Sequence, residues 1–275
     1  MREPLKFLSQ LELPNSSLII GWGMDASRLG WRVINHLKGK LNGQSFIEVE
    51  PVDFFALGGV AVHGDQIQFP ESKFYACPQN ALVLLGSTPP ASEHYKFLNL
   101  ILEVAQQYCH VQEIYILGGM VALSAHTLPR ELRGTFNSPE LKSELSAFNL
   151  AREWDYETPP GQRPTLNSFL LWAAKRRNIP AVSLWAAIPF YLTTVNDVEA
   201  ERRVLEFFNN RFNLGMDFSD LDEEISRQNQ AIARVRAGSP DVDESIRKLE
   251  NNLSLGEEET QKLIKEIDKV LGERK

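Results

Sequence analysis

The chain has 275 residues, 43% of them hydrophobic and 24% charged, with a formal net charge of −7. Nucleic acid and anionic membrane surfaces are bound through a basic excess, so the acidic balance argues against both as main partners. Two cysteines, Cys77 and Cys109, are too few for a disulfide scaffold and read as buried free thiols in a reducing compartment.

Glu3, Pro4, Lys6 and Glu12 interrupt the apolar stretch that a signal peptide needs. No apolar run reaches the roughly 18 residues of a spanning helix, so the expected location is the cytoplasm. Ser17-Leu18-Ile19-Ile20-Gly21 predicts a buried strand entering a turn. After it, Leu29, Val33, Ile34 and Leu37 repeat at helical spacing, which gives a β-turn-α unit. Phe46 to Phe55 reads as a second strand, and residues 60–67 as a hairpin turning at Gly64-Asp65. Ala81 to Leu85 predicts a buried strand ending at Gly86, and Glu93 to Cys109 an amphipathic helix. Glu113 to Leu117 reads as a further strand, stopping at Gly118-Gly119. The stretch from Leu145 to Trp154 fits neither template, and Pro159-Pro160-Gly161 with Pro164 is a loop. Thr165 to Arg177 predicts a helix, Ile179 to Ala186 a buried strand, and Asp197 to Phe212 another helix. Strands alternating with helices imply a layered α/β domain with a largely parallel sheet, whose strand C-terminal edge is the usual place for a ligand.

The composition changes near Phe218, after which no aromatic residue occurs. Residues 217–275 hold 15 acids and 10 bases, and a helix break stands at Gly238-Ser239-Pro240. The expected division is therefore an α/β domain over 1–216 and an acidic helical extension over 217–275. Narrow apolar stripes among mixed charges suggest helices packed on the body or on another chain.

Gly21-Trp22-Gly23-Met24-Asp25-Ala26 fits a loose dinucleotide-loop pattern, with Glu48, Glu50 and Asp53 where a ribose acid could lie. Trp22 and Asp25 oppose a pyrophosphate there, however. The other readings are a tight strand-to-helix turn with Asp25 as helix cap, or a different anion pocket. His36, His63, His94, His110 and His126 fall in no metal-binding spacing, and His126 reads as a surface or capping residue. Ser87 and Ser124 lack a nucleophile-elbow context, and Cys109 and His110, adjacent on a helix, do not face each other. No cofactor is expected. The aromatic run Ser183-Leu184-Trp185-Ala186-Ala187-Ile188-Pro189-Phe190-Tyr191 is core or the wall of a pocket or subunit interface.

Four blocks resemble the PAC2 (proteasome-assembly-chaperone-like) family, in its bacterial branch. They are Gly21 to Ala26, Ile116-Leu117-Gly118-Gly119, Pro129-Arg130 with Gly134-Thr135-Phe136-Asn137, and residues 161–166 followed by Ile179 to Tyr191. The similarity spans roughly residues 17–215. It implies a phosphorylase/hydrolase-like α/β sandwich with a mixed sheet between helices, a homo-oligomer with a trimer favoured, and chaperone-like protein interaction. Proteasome-binding relatives end in a hydrophobic–Tyr–any motif. Here Gly272-Glu273-Arg274-Lys275 has Arg274 in the tyrosine position, so docking by such a tail is not expected. Phe190 likewise stands where the branch often has His.

The expected function is a non-enzymatic, oligomeric protein-interaction module. Its partner, itself or another protein, would be met through the C-terminal helices at Leu221, Ile225, Ile232, Leu249, Leu263 and Ile267. The alternative is a small-molecule-binding protein or hydrolase/phosphorylase-like enzyme. Its pocket would lie at the strand ends, near Gly21, Asp25, Gly118, Gly119, Asn137 and Trp185.

Overall fold

The apolar runs of the sequence fold as strands and its helical periodicities as helices. The computed structural model describes residues 4–9, 13, 15–55, 61–151, 155, 157, 161 and 165–272. Most of the proline loop (all but Gly161), Trp154 and the chain end at 273–275 lie outside the described residues.

In chain order the strands are β1 (Leu5–Phe7), β2 (Ser17–Trp22), β3 (Gln44–Val49), β4 (Ala61–His63), β5 (Gln66–Gln68), β6 (Ser72–Cys77), β7 (Leu82–Ser87), β8 (Glu113–Ala122), β9 (Leu132–Phe136) and β10 (Ala181–Pro189). The helices are α1 (Leu29–Lys40), α2 (His94–Glu103), α3 (Pro139–Leu145), α4 (Leu166–Arg176), α5 (Val198–Phe212), α6 (Ser219–Gly238), α7 (Pro240–Glu250) and α8 (Glu257–Leu271).

Eight strands form one mixed sheet in the order β1-β3-β6-β7-β2-β8-β10-β9. β2 pairs parallel with β7 and β8, with Ile20 opposite Leu85 and Ile116. β1, β3, β6 and β7 are joined antiparallel. The parallel centre is the part that the sequence announces, because a strand buried on both faces reads as an unbroken apolar run. The antiparallel half rests on β1 and β6, short strands with mixed side chains that periodicity does not mark. β4 and β5 form the predicted hairpin, with Gly64 (φ 54°) and Asp65 (φ 62°) in the left-handed region that a two-residue turn requires.

Several boundaries differ from expectation. The strand read from Phe46 to Phe55 ends at Val49, and Pro51–Asp53 forms a 3-10 turn. β8 does not stop at Gly118-Gly119 but runs extended to Ala122. The helix from His94 loosens at Glu103 into a π turn over Val104–Tyr108, which brings buried Cys109 to the entry of β8.

The chain divides into two compact units. The first holds residues 1–24, 30–118 and 133–184. Its core joins Ile20, Leu85 and Ile116 to Phe97 and Ile101 of α2 and to Leu170 and Ala174 of α4. Each of the isoleucine, leucine and phenylalanine side chains among them contributes about 1.5–3 kcal/mol on burial. β2 and α1 meet backbone to backbone: a Cβ on Gly21 would stand 2.1 Å from the Gly30 carbonyl oxygen. Glycine is required at position 21 by this approach, since its φ is not left-handed.

The second unit holds residues 25–29, 119–132 and 185–275. Pro240 opens α7 at the first helical position, where a missing N–H costs nothing. Acids fill the first turns of α6, α7 and α8, where they oppose the helix dipole. The three helices pack on one another and bury Leu221, Ile232, Val242, Ile246, Leu249, Leu263 and Ile267. No described helix is long and apolar enough to cross a membrane.

Candidate functional site

In the first unit, β2 ends in a clamp. The indole N–H of Trp22 donates to the Asn167 side-chain oxygen at 2.7 Å. Asn167 Nδ2 in turn donates to the Leu117 carbonyl at 3.2 Å and to Ser183 Oγ at 2.9 Å. All of these side chains are buried, so Trp22 fixes α4 to the strand ends and does not face a ligand.

In the second unit a larger network forms around the turn at Asp25–Arg28. Asp25 sits at a helix N-cap position but makes no capping bond there. Its Oδ2 instead accepts the Gly119 amide N–H at 3.0 Å. Gly119 is glycine because a Cβ would lie 2.5 Å from the Ala26 carbonyl oxygen. Ser27, buried and left-handed at φ 60°, donates its amide to the Thr193 carbonyl at 2.8 Å. Its hydroxyl accepts the Asp197 amide at 2.6 Å.

Asp197 is the hub. Its carboxylate receives Arg130 Nε at 2.7 Å and Nη2 at 3.2 Å, and it caps α5 by accepting the Ala200 amide at 3.2 Å. Arg130 Nη1 donates to the carbonyls of His126, at 3.0 Å, and Leu128, at 2.8 Å. The side chains of the pair are 3% and 0% exposed. A bidentate pair this deep holds only because its remaining donors and acceptors are also bonded. Beside it, the Tyr191 hydroxyl accepts the His126 amide at 2.6 Å and lies 2.9 Å from His126 Nδ1.

Burial, helped by the Arg130 and Arg236 charges, lowers the His126 pKa to about 4, so the ring is neutral near pH 7. It is therefore a buried, bonded histidine and not the surface or capping residue expected. Burial raises the Tyr191 phenol. It also pushes the Cys77 and Cys109 thiols up to about 11 and about 12, so both stay protonated. Ser27 Oγ, the buried serine hydroxyl of this network, is held by a backbone amide and not by an imidazole. Among the described residues no group of His, Cys, Asp and Glu could hold a metal ion.

Of the six pocket candidates, the structure brings Asp25 and Gly119 together. Gly21 and Gly118 are buried in the first unit, and Trp185 is half-buried in the second. Asn137 closes a different connection. Its side chain donates to the carbonyls of Leu171, at 3.2 Å, and Ile179, at 3.0 Å, and accepts the Ala181 amide at 2.7 Å. None of the six lines either of two clefts that are present. One, of about 270 Å³, lies in the second unit between Asn196, Val198, Glu224, Gln228 and Leu271. The other, of about 710 Å³, lies in the first unit between Pro89, Pro90, His94, Tyr95, Leu166 and Phe169.

The interface candidates Leu221, Ile232, Leu249, Leu263 and Ile267 are buried and Ile225 is half-buried. The apolar stripes of α6–α8 are thus mostly covered by the chain's own packing, with Val270 left exposed. The Arg130–Asp197 and Ser27–Asp197 contacts, and in the first unit Asn167–Leu117, are not legible in the sequence, because they span 50 to 170 residues. The one local signal was Asp197, an acid standing directly before a helical periodicity.

A family model described as the PAC2 family matches residues 18–236. The structure is similar to a proteasome-assembly chaperone homologue of Mycobacterium tuberculosis, at TM-score 0.70 and 20% identity over 84% of this chain and 99% of that one. It is similar to a PAC2 family protein of Streptomyces avermitilis, at TM-score 0.68 and 21% identity over 80% of this chain and 95% of that one. It is also similar to an archaeal proteasome activator of Pyrococcus furiosus, at TM-score 0.69 and 18% identity over 84% of this chain and 98% of that one. None of the curated proteins matches the chain.

Proposed function

The chain belongs to the PAC2 family, and from that premise we propose that it is a non-enzymatic, chaperone-like protein-interaction module of the cytoplasm. In this reading it works as a homo-oligomer, with a trimer favoured. Residues 1–216 are the α/β body and residues 217–275 the partner-facing helical segment. The observation that supports it most is the engagement of the polar groups at the strand ends. Asp25, Ser27, Arg130, Asn137 and Asp197 are each held by the chain's own hydrogen bonds. A catalytic reading needs an acid, base or nucleophile free to meet a substrate. The solved structures similar in fold include one described as a proteasome activator and others described as assembly-chaperone homologues, which fits the same reading.

The apolar stripes of α6–α8 are mostly consumed internally, so a partner surface there is dominated by their charged outer side. The test is affinity capture of the full-length chain against a Glu223→Lys, Glu258→Lys variant, both positions being exposed. One stoichiometric partner retained by the native chain and lost by the variant is the expected result. Retention by both, or capture of nothing but the chain itself, would remove the partner-facing role from these helices. Sedimentation should give a mass three times that of one chain, and a monomer at micromolar concentration would end the trimer reading.

A further inference from the structure

The outward face of α4 breaks the rule that its own buried face obeys. Asn167, Leu170, Leu171, Ala173 and Ala174 are buried, so the opposite side of the helix should be polar. Instead it carries Phe169, 39% exposed, and Trp172, 47% exposed. Tyr95 of α2, 54% exposed, stands with its ring centroid 6.1 Å from that of Trp172. The Arg176 guanidinium lies 5.2 Å over the Trp172 ring. The apolar cleft of about 710 Å³ opens beside these rings, walled by Pro89, Pro90, Leu166 and Phe169.

Three exposed aromatic rings beside an apolar cleft, with an arginine on one of them, form the composition that dominates binding energy at protein interfaces. They do not serve the core of the first unit, which is closed beneath them. The charges around the patch narrow the occupant. Lys175 and Arg176 end α4 beside Trp172 with two positive charges; of the charged residues that line the cleft, Lys96 is paired with Asp53 at 3.0 Å and Glu93 is the acid. On a chain whose net charge is −7, this is a local basic rim. A cationic rim around an aromatic cleft complements an acidic segment that offers small aliphatic or proline anchors.

We infer that the α2–α4 face is a docking site for an acidic protein segment with aliphatic or proline anchors. Trp172, Phe169 and Tyr95 would take the anchors, and Arg176 with Lys175 the carboxylates. The inference rests on the protein-interaction reading and adds a second surface to it, distinct in sequence from α6–α8.

The test is selection of a random linear peptide library on the full-length chain, followed by titration of the best peptide against the native chain and the Trp172→Ala and Arg176→Glu variants. Both positions point outward, and far-UV circular dichroism checks that each variant folds. The expected outcome is an acid-rich consensus with leucine, isoleucine or proline, and a loss of at least about tenfold in affinity in each variant. Arg176→Glu should also select basic peptides in place of acidic ones. The inference is overturned by the absence of any consensus, by a consensus without acids, or by variants that bind the peptide as tightly as the native chain. It is overturned equally by oligomers that dissociate in Trp172→Ala, since the occupant would then be a second copy. Failure here together with partner loss on changing α6–α8 would leave the broader interaction reading standing. Failure of both would remove it.

Discussion

The junction of residues 126–131 with the start of α5 and the bundle α6–α8 use the same chemistry at opposite depths. At the junction, a single ion pair, Arg130–Asp197, is buried and fully bonded. Across the bundle, Arg236 meets Asp243 and Glu250, Lys248 meets Glu244 and Glu259, and Lys262 meets Asp241, all with partly or largely exposed side chains. Counting ion pairs would make the bundle the electrostatically stabilised region. Depth reverses that ranking: exposed pairs are worth about 0–1 kcal/mol each, whereas loss of one partner from a buried pair leaves an uncompensated charge at about 3–5 kcal/mol.

Asp197→Ala should break the comparison hardest. It strands Arg130 and uncaps α5 while leaving the backbone amide of position 197 on Ser27 Oγ, and should cost about 3–5 kcal/mol in urea denaturation. The paired change Arg130→Met, Asp197→Leu should recover much of that. A double variant as unstable as the single one would mean that the lost hydrogen bonds, and not the stranded charge, carry the effect. In the bundle, stability should sit in the narrow apolar stripe and not in the charges, so Leu263→Ala should cost about 2–4 kcal/mol. A change under 1 kcal/mol by the same measurement would place the support of α8 in its ion pairs after all.

A third prediction uses pH. The folded pKa of His126 lies below its ordinary value of 6.5, at about 4, so the unfolded chain binds the extra proton first. Stability contributed by the neutral ring is present above about pH 6.5 and falls as pH drops toward 4, by at most on the order of 3 kcal/mol. His126→Gln should flatten that window in unfolding measured at successive pH values. The facing charges, Arg130, Arg236 and Glu250, stay in place in the variant and control for the rest of the site. An unchanged slope would assign the acid sensitivity to the carboxylates. The smallest effect belongs to Lys248→Ala, which removes two solvent-screened pairs and should shift the unfolding midpoint only slightly, the shift vanishing in high salt.

What the sequence made legible follows the same division. β2, β7 and β10 were visible because a strand buried on both faces leaves an uninterrupted apolar run, and α4, α5 and the three late helices because a half-buried helix leaves a periodic one. β6 and β9 were not, since SKFYAC and LRGTF are short and mix charge with apolar residues. Gly118-Gly119 was mistaken for a strand end because glycine signals turns more often than close approach, yet here Gly119 makes room for Ala26 within an extended strand. Asp25 was read as a cap, and its real acceptor role depends on an amide 94 residues away. The apolar positions of α6–α8 repeat as stripes in the sequence. Periodicity fixes which face is apolar and is silent on what covers it.

The absence of aromatic residues after Phe218 has an optical consequence. All five tryptophans lie at position 185 or before, so tryptophan fluorescence has no emitter within α6–α8. Far-ultraviolet dichroism, in contrast, is weighted toward helix and sees them strongly. One unfolding experiment followed by both signals therefore separates the two spectroscopically. Coincident curves would mean that the late helices melt as one cooperative unit with the rest of the chain. A helical signal that leaves before the fluorescence changes would identify residues 217–275 as an independently melting foldon.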